Sequence, residues 1–420
     1  MRRDKLRRKK VSIRKGDPAS SPFWGEVLPR ISMKITQLEP ILLTVDMPLE
    51  HPLRWSGGEA TSINCALVRV HTDNGITGLG DCYGSGFIAG EPTAELFKLF
   101  GRFLQGKDPR DVAGCFESMY RPILYWGRSG LAVAAASAVE NALWDIAGKA
   151  ANQPTYRLLG GLCHEKLPVY ASGGLEQPLD DLKAEMKTHL ASGFRAVKMR
   201  IGVNLKHDLE RVAACREVLG SDVKLMADAV MGHNPKPWTA AEAIREAKAL
   251  EPYDLFWLEE PCFAADYDGY NHVRQNTSIP ISGGESSCMR YEFRHFFDRQ
   301  ALDVAQPDAC QAGGILECQK IAAMADAYGV KVAPHAWGTS VTVAANLAWA
   351  FVTPNTVIAE YPTWRFPLTD KLFVEKPRIE DGYIYPPTTS GLGVELPKKL
   401  EETYRYRPEA PRVNMRRETG

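Results

Sequence analysis

Seven short apolar runs between residues 194 and 360 each end in ionisable side chains. FRAVKMR carries Lys198 and Arg200, VKLMAD ends at Asp228, LFWLE at Glu259, ISGGE at Glu285, LDVAQPD at Asp308, VKVAPH at His335 and NTVIAE at Glu360. From Lys198 onward the steps are 30, 31, 26, 23, 27 and 25 residues. One strand, one helix and two loops of a (β/α) barrel take about that many residues. Parallel strands in a closed barrel put their C-terminal ends on one face. Residues far apart in sequence are therefore expected to meet at one site, and the chain reads as an enzyme.

The residue types say which chemistry that site would do. Asp228, Glu259 and Glu285 offer three carboxylates without Cys or His, a hard oxygen set that suits Mg²⁺ or Mn²⁺ better than Zn²⁺. Glu259 or its neighbour Glu260 could be the second ligand, because strand alternation points only one of them inward. Lys198 and Arg200 lie two apart and face the same way. Arg200 can clamp a carboxylate but cannot act as a base at neutral pH, whereas Lys198 could do either. Asp308 and His335 end neighbouring strands, and a carboxylate beside an imidazole fixes its tautomer and raises its basicity. Glu360, if protonated, could donate to a developing enolate oxygen. Together these groups describe removal of a proton α to a carboxylate.

The elements that must position these groups are legible around them. Strand-like runs alternate with the helical LDDLKAEMKTHLASG, LKHDLERVAACREVLG, TAAEAIREAKALEP and LECQKIAAMADAYG, a βαβα order that predicts a parallel sheet. Ahead of them, ITQLEPILLTV, CALVRVHTDNG and GITGLGDCY read as three strands. EHPLRWSGGEATS and GSGFIAGEP read as loops between and after these strands. Residues 91–160 read as helical, and the barrel is expected to start with KLPVYAS near residue 166. The tail EETYRYRPEAPR is expected to pack back on the first part of the chain.

Composition bounds the rest. At 420 residues, with 45% hydrophobic and 24% charged residues, the chain is an ordinary globular protein with room for a barrel and a smaller domain. No apolar run reaches membrane-span length. Nine scattered Cys without a C-x-x-C pair point to a reduced, cytoplasmic chain without structural zinc. No P-loop, dinucleotide fingerprint or G-x-S-x-G elbow occurs. Residues 1–32 carry ten Lys/Arg against three acidic residues, so the remainder carries the opposite surplus of seven. This head is expected to be a disordered basic extension, or a stretch ahead of a natural start at Met33, rather than a nucleic-acid tether.

The motifs VKMRIG at 197–202, MAD at 226–228, WLEEP at 257–261, SGGES at 282–286, DVAQPDACQAGG at 303–314 and PHAWGTS at 334–340, with the late Glu360, resemble the enolase superfamily in its mandelate racemase-like branch. They look most like its sugar-acid dehydratases and sugar-lactone cycloisomerases. The resemblance covers residues 33 to about 400. It implies a modified (β/α)7β TIM barrel over residues 161–384, with an α+β capping domain over 33–160 completed by about 385–415. It also implies Mg²⁺ at Asp228, Glu259 and Glu285, a His335–Asp308 dyad, a homo-oligomer and a small sugar acid or lactone as substrate. Two departures stand out. Arg200 replaces a frequent second Lys, which weighs against two-base racemisation. Val230 stands where Asn is frequent, and His233 or Asn234 would have to replace that polar contact. The expected reaction is dehydration of a sugar acid to a 2-keto-3-deoxy acid. The rivals are cycloisomerisation or epimerisation, and a non-catalytic metal or sugar-acid binding role. Arg54, Trp55, Tyr83 and Phe87 in the cap are the candidates for substrate contact.

Overall fold

The computed structural model describes residues 33–48, 52–83, 90–410 and 413–415. The basic head and Phe87 lie outside the described residues. The first described strand is β1 (Ile35–Asp46). The short β2 (Leu53–Trp55) and β3 (Gly58–Ala60) follow, then β4 (Ser62–Thr72) and β5 (Thr77–Cys82). β1, β4 and β5 form an antiparallel sheet in the order β1-β4-β5. Helices α1 (Gly90–Leu104), α2 (Val112–Ile123) and α3 (Leu131–Ala151) cover that sheet, sharing a core that includes Val68, Phe97, Met119, Val139 and Leu143. Gly78 and Gly80 let β5 approach α3 closely, since a Cβ at either would collide with the carbonyl oxygens of Ala142 and Ala138. The residues read as a plain loop between the first two strands instead hold the β2–β3 hairpin. Its third strand is Val413–Met415, more than 350 residues away, so no local pattern announces it.

After a one-turn helix α4 (Thr155–Leu158), the chain alternates strand and helix. The order is β6 (Leu167–Ser172), α5 (Leu179–Ala191), β7 (Ala196–Arg200), α6 (Leu205–Leu219), β8 (Lys224–Asp228), α7 (Ala240–Leu250) and β9 (Leu255–Glu259). It continues with α8 (Tyr267–Gln275), β10 (Ile281–Gly283), α9 (Met289–Asp298), β11 (Val304–Ala305), α10 (Ile315–Ala327), β12 (Lys331–Val332), α11 (Ser340–Ala350) and β13 (Ala359–Pro362). Each strand from β6 to β12 pairs in parallel with the next, and β13 pairs with β6. A single bridge between Val332 and Thr356 joins the two ends of the ring. This is the (β/α)7β barrel with its α+β cap.

The barrel interior explains why the apolar runs end in charge. Tyr170, Ala196, Met226, Trp257, Val304, Ala333 and Ile358 form one buried cluster. Two residues further along the same segments stand Ser172, Lys198, Asp228, Glu259, Gln306, His335 and Glu360, all buried. The period of two along a strand stacks the polar ring directly on the apolar floor. Tyr404 and Arg407 of the tail bond to Thr44 of β1, and Arg407 pairs with Asp46 at 2.6 Å.

Candidate functional site

Lys198 is fully buried, and carboxylates hold its ammonium. It bonds to Glu259 and lies 3.2 Å from Glu360 and 3.5 Å from Asp228. Burial alone would favour the neutral amine, but Glu259, Glu360 and the other nearby anions push its pKa well above the usual lysine value. In this ring of carboxylates it stands as a buried ammonium. Arg200 is pinned as well. Its Nη1 donates to Gly173 O at 2.7 Å and to Ser172 Oγ at 3.1 Å. Its Nε sits 3.6 Å from Asp228, and the guanidinium lies 4.1 Å over the Trp337 ring. With Nη1 so engaged, a clamp through both terminal nitrogens would break existing bonds.

Carboxylate oxygens of Asp228, Glu259 and Glu285 lie within 4.8 Å of one another, as do ligand atoms of His233, Glu260 and Glu285. The expectation that only one of Glu259 and Glu260 turns inward does not hold, because strand geometry stops at Glu259. Glu260 has φ of 45°, in the left-handed region, and both carboxylates are buried beside Glu285. Gly232 makes room for this, since a Cβ there would meet the Glu260 carboxylate. Among the described residues, neither oxygen of Glu260 has a hydrogen-bond partner, nor does the buried side-chain amide of Gln306. Burial pushes Glu259 up to about 7, against the pull of Lys198. Clustered, partly unsatisfied oxygens of this kind fit a hard divalent cation and its water shell.

His335 Nδ1 is 2.7 Å from Asp308 Oδ2, and its Nε2 is 3.3 Å from Glu285. Burial disfavours the imidazolium, but Glu285, Glu360 and the bond to Asp308 outweigh it and raise the pKa to about 10. Glu360 lies between Lys198 and the imidazole of His335 in charge terms. Burial would raise its pKa, yet Lys198 and His335 hold it down to about 2. One oxygen also accepts the Ala336 N–H at 2.6 Å.

One cavity opens on this ring. Arg200, Asp228, Glu285 and His335 line it from the barrel, while Trp55, Asp81 and Tyr83 line it from β2, β5 and the residue after β5. His233 is also in its wall, 43% exposed. Arg54 is not. It points away on the β2–β3 hairpin and pairs with Glu59 at 3.2 Å, because alternation sends it to the face opposite Trp55. The sequence reading missed Trp337, Trp364 and Phe366, which stack at 4.8 and 4.5 Å into an aromatic wall. Trp337 follows His335 by two residues in PHAWGTS, a signal that was available.

A capped (β/α)7β barrel bearing a carboxylate cluster, a buried ammonium and a His–Asp pair at its strand ends defines the class of fold and site. Residues 38–160 match the mandelate racemase / muconate lactonizing enzyme N-terminal domain, and residues 181–400 match the enolase C-terminal domain-like family. The chain belongs to the enolase superfamily, in its mandelate racemase-like branch. It is 33% identical to D-galactarolactone cycloisomerase of Agrobacterium fabrum over 376 residues, covering 87% of this chain and 97% of that one. It is 32% identical to arabinonate dehydratase of Saccharolobus solfataricus, covering 80% and 89%. The crystal structure of a racemase from Streptomyces coelicolor with bound magnesium superposes with a TM-score of 0.80 at 32% identity, covering 88% of this chain and 99% of that one.

Proposed function

We propose that the protein is a Mg²⁺-dependent dehydratase of a sugar acid. Residues 33–160, completed by about 385–415, would cap a barrel at 161–384. His335 takes the α-proton on Nε2, and Asp308 holds the imidazole through Nδ1. Asp228, Glu259 and Glu285 would hold the cation, with Glu260 close behind. When bound, the cation would offset negative charge gathering on the substrate carboxylate as the proton leaves. Lys198 and Arg200 add fixed positive charge on the same side. Lys198 is held among carboxylates and Arg200 is never a base, so this reading assigns proton abstraction to His335. It returns its proton to the departing β-hydroxyl, and the enol product becomes a 2-keto-3-deoxy acid.

The observation that carries this reading is the geometry of His335: one nitrogen on Asp308, the other beside the carboxylate cluster at the cavity. A second reading is cycloisomerisation, in which the leaving β-oxygen belongs to the substrate's own ring. The aromatic lining favours it, because a substrate with one hydroxyl closed into a ring is less polar than an open-chain polyol. The test is to incubate the protein with Mg²⁺ and a panel of open-chain sugar acids and lactones, following 2-keto acid formation. Water loss from an open-chain acid supports dehydration, and ring opening without water loss supports the second reading. In His335→Asn, both turnover and exchange of the α-proton in deuterated water should vanish. Persistent exchange there would remove His335 from the role of base.

A further inference from the structure

Asp308 does not orient His335 unaided. Its Oδ1 accepts from the Cys310 backbone N–H at 2.7 Å and from Asn346 Nδ2 at 2.8 Å. Asn346 is fully buried on α11. Its second amide proton goes to Thr342 O at 3.1 Å, and its Oδ1 accepts from Ala309 N–H and Trp349 Nε1, each at 2.9 Å. Two donations and two acceptances use every hydrogen-bonding capacity of an asparagine side chain. They also fix which end of the amide faces Asp308. With the amide reversed, a carbonyl would face a carboxylate and an NH₂ would face two donors. The start of α11 is tied down from the cap side. Asp81 of β5 accepts from Thr339 Oγ1 at 2.7 Å and Thr342 Oγ1 at 2.8 Å.

We propose that Asn346 is a positioning residue for the dyad, holding the Asp308 carboxylate so that Oδ2 alone meets His335 Nδ1. The inference rests on the dyad reading above. Asn346 does not line the cavity, so it acts through Asp308 and touches no substrate. A fully satisfied buried network is rigid, and removing one member frees its neighbours to rotate.

The test uses the full-length protein and needs no substrate for its first arm. The proton on His335 Nδ1, bonded to a buried carboxylate, should give a low-field NMR line that is absent in His335→Asn. In Asn346→Ala that line should shift upfield or disappear. Trp349→Phe removes one of the two donors to the Asn346 carbonyl while keeping an aromatic ring in place. It should move the line the same way by less, and it serves if Asn346→Ala does not fold. In turnover, Asn346→Ala should lower kcat roughly 10–100-fold, the usual worth of such a supporting partner, with little change in KM. In an Asp308→Asn background the same substitution should add less than about twofold, because the carboxylate it orients is gone. An unmoved line in the folded variant, or an equal loss in both backgrounds, overturns the proposal. Failure of the parent protein to turn over any sugar acid would strike the functional reading instead, and leaves the NMR result decisive for Asn346.

Discussion

His335 shows how far one side chain depends on what sits beside it. Without a cation its pKa of about 10 leaves it protonated at neutral pH, so it cannot accept a proton. A divalent ion on Glu285 would cancel the largest attraction holding that charge, and the pKa should fall. Cation binding near pH 8 is therefore expected to release protons. Calorimetry in buffers of different ionisation enthalpy measures this, and the release should shrink in His335→Asn. Glu285→Gln should weaken Mg²⁺ binding and abolish turnover while sparing the fold. Tight Mg²⁺ binding in that variant would remove Glu285 from the ligand set. Val230 makes a different kind of prediction. It has φ of 54°, a conformation that costs a β-branched residue on the order of 1–3 kcal/mol, and it lines the cavity. Val230→Asn should raise the melting temperature, because Asn tolerates that backbone, while changing which substrates turn over. A lower melting temperature would mean that lost methyl packing exceeds the strain.

At the level of elements, Glu140 of α3 links the cap to the barrel. Its carboxylate accepts from Ile315 N–H at 2.8 Å and Leu316 N–H at 3.2 Å, in the first turn of α10, and from Trp144 Nε1 at 2.9 Å. Burial nevertheless raises its pKa to about 7, although these donors oppose the rise. The sign follows from linkage. The unfolded chain gives up this proton near 4.5 and the folded one near 7, so Glu140's contribution is fully present below pH 4.5 and is lost as pH rises towards 7. Denaturant titrations across that window should show a slope that flattens in Glu140→Gln. An unchanged slope would place the titration elsewhere. Periodicity made α3 legible in advance, and the regular spacing of the apolar runs placed Lys198, Asp228, Glu259, His335 and Glu360 on one face of a barrel. What it could not give were features set by single backbone angles or distant partners. Glu260 turns inward through a left-handed φ, and the β2–β3 hairpin depends on Val413–Met415. The state of Glu360 depends on Lys198, 162 residues earlier, at 3.2 Å.

In the whole molecule, the ring closes through its shortest ladder among the described residues. Between β12 and the approach to β13 the ladder shrinks to the Val332–Thr356 bridge. Val332 N–H donates to Asn355 O at 3.1 Å and Val357 N–H to Val332 O at 3.0 Å. The Asn355 side chain braces it by donating to Ala322 O and Val330 O. His335 follows the strand on one side of this join, and Glu360 lies in the strand on the other. The bond from Ala336 N–H to Glu360 therefore acts as a clasp across the hoop. Every brief parting of the staves would carry the imidazole away from the Lys198 side of the ring. Amide exchange at Val332 and Val357 should then outpace that of the β7–β8 ladder, and quicken further in Glu360→Gln. The barrel would thus tie its own breathing to the imidazole, because its shortest ladder runs between the segments that carry His335 and Glu360.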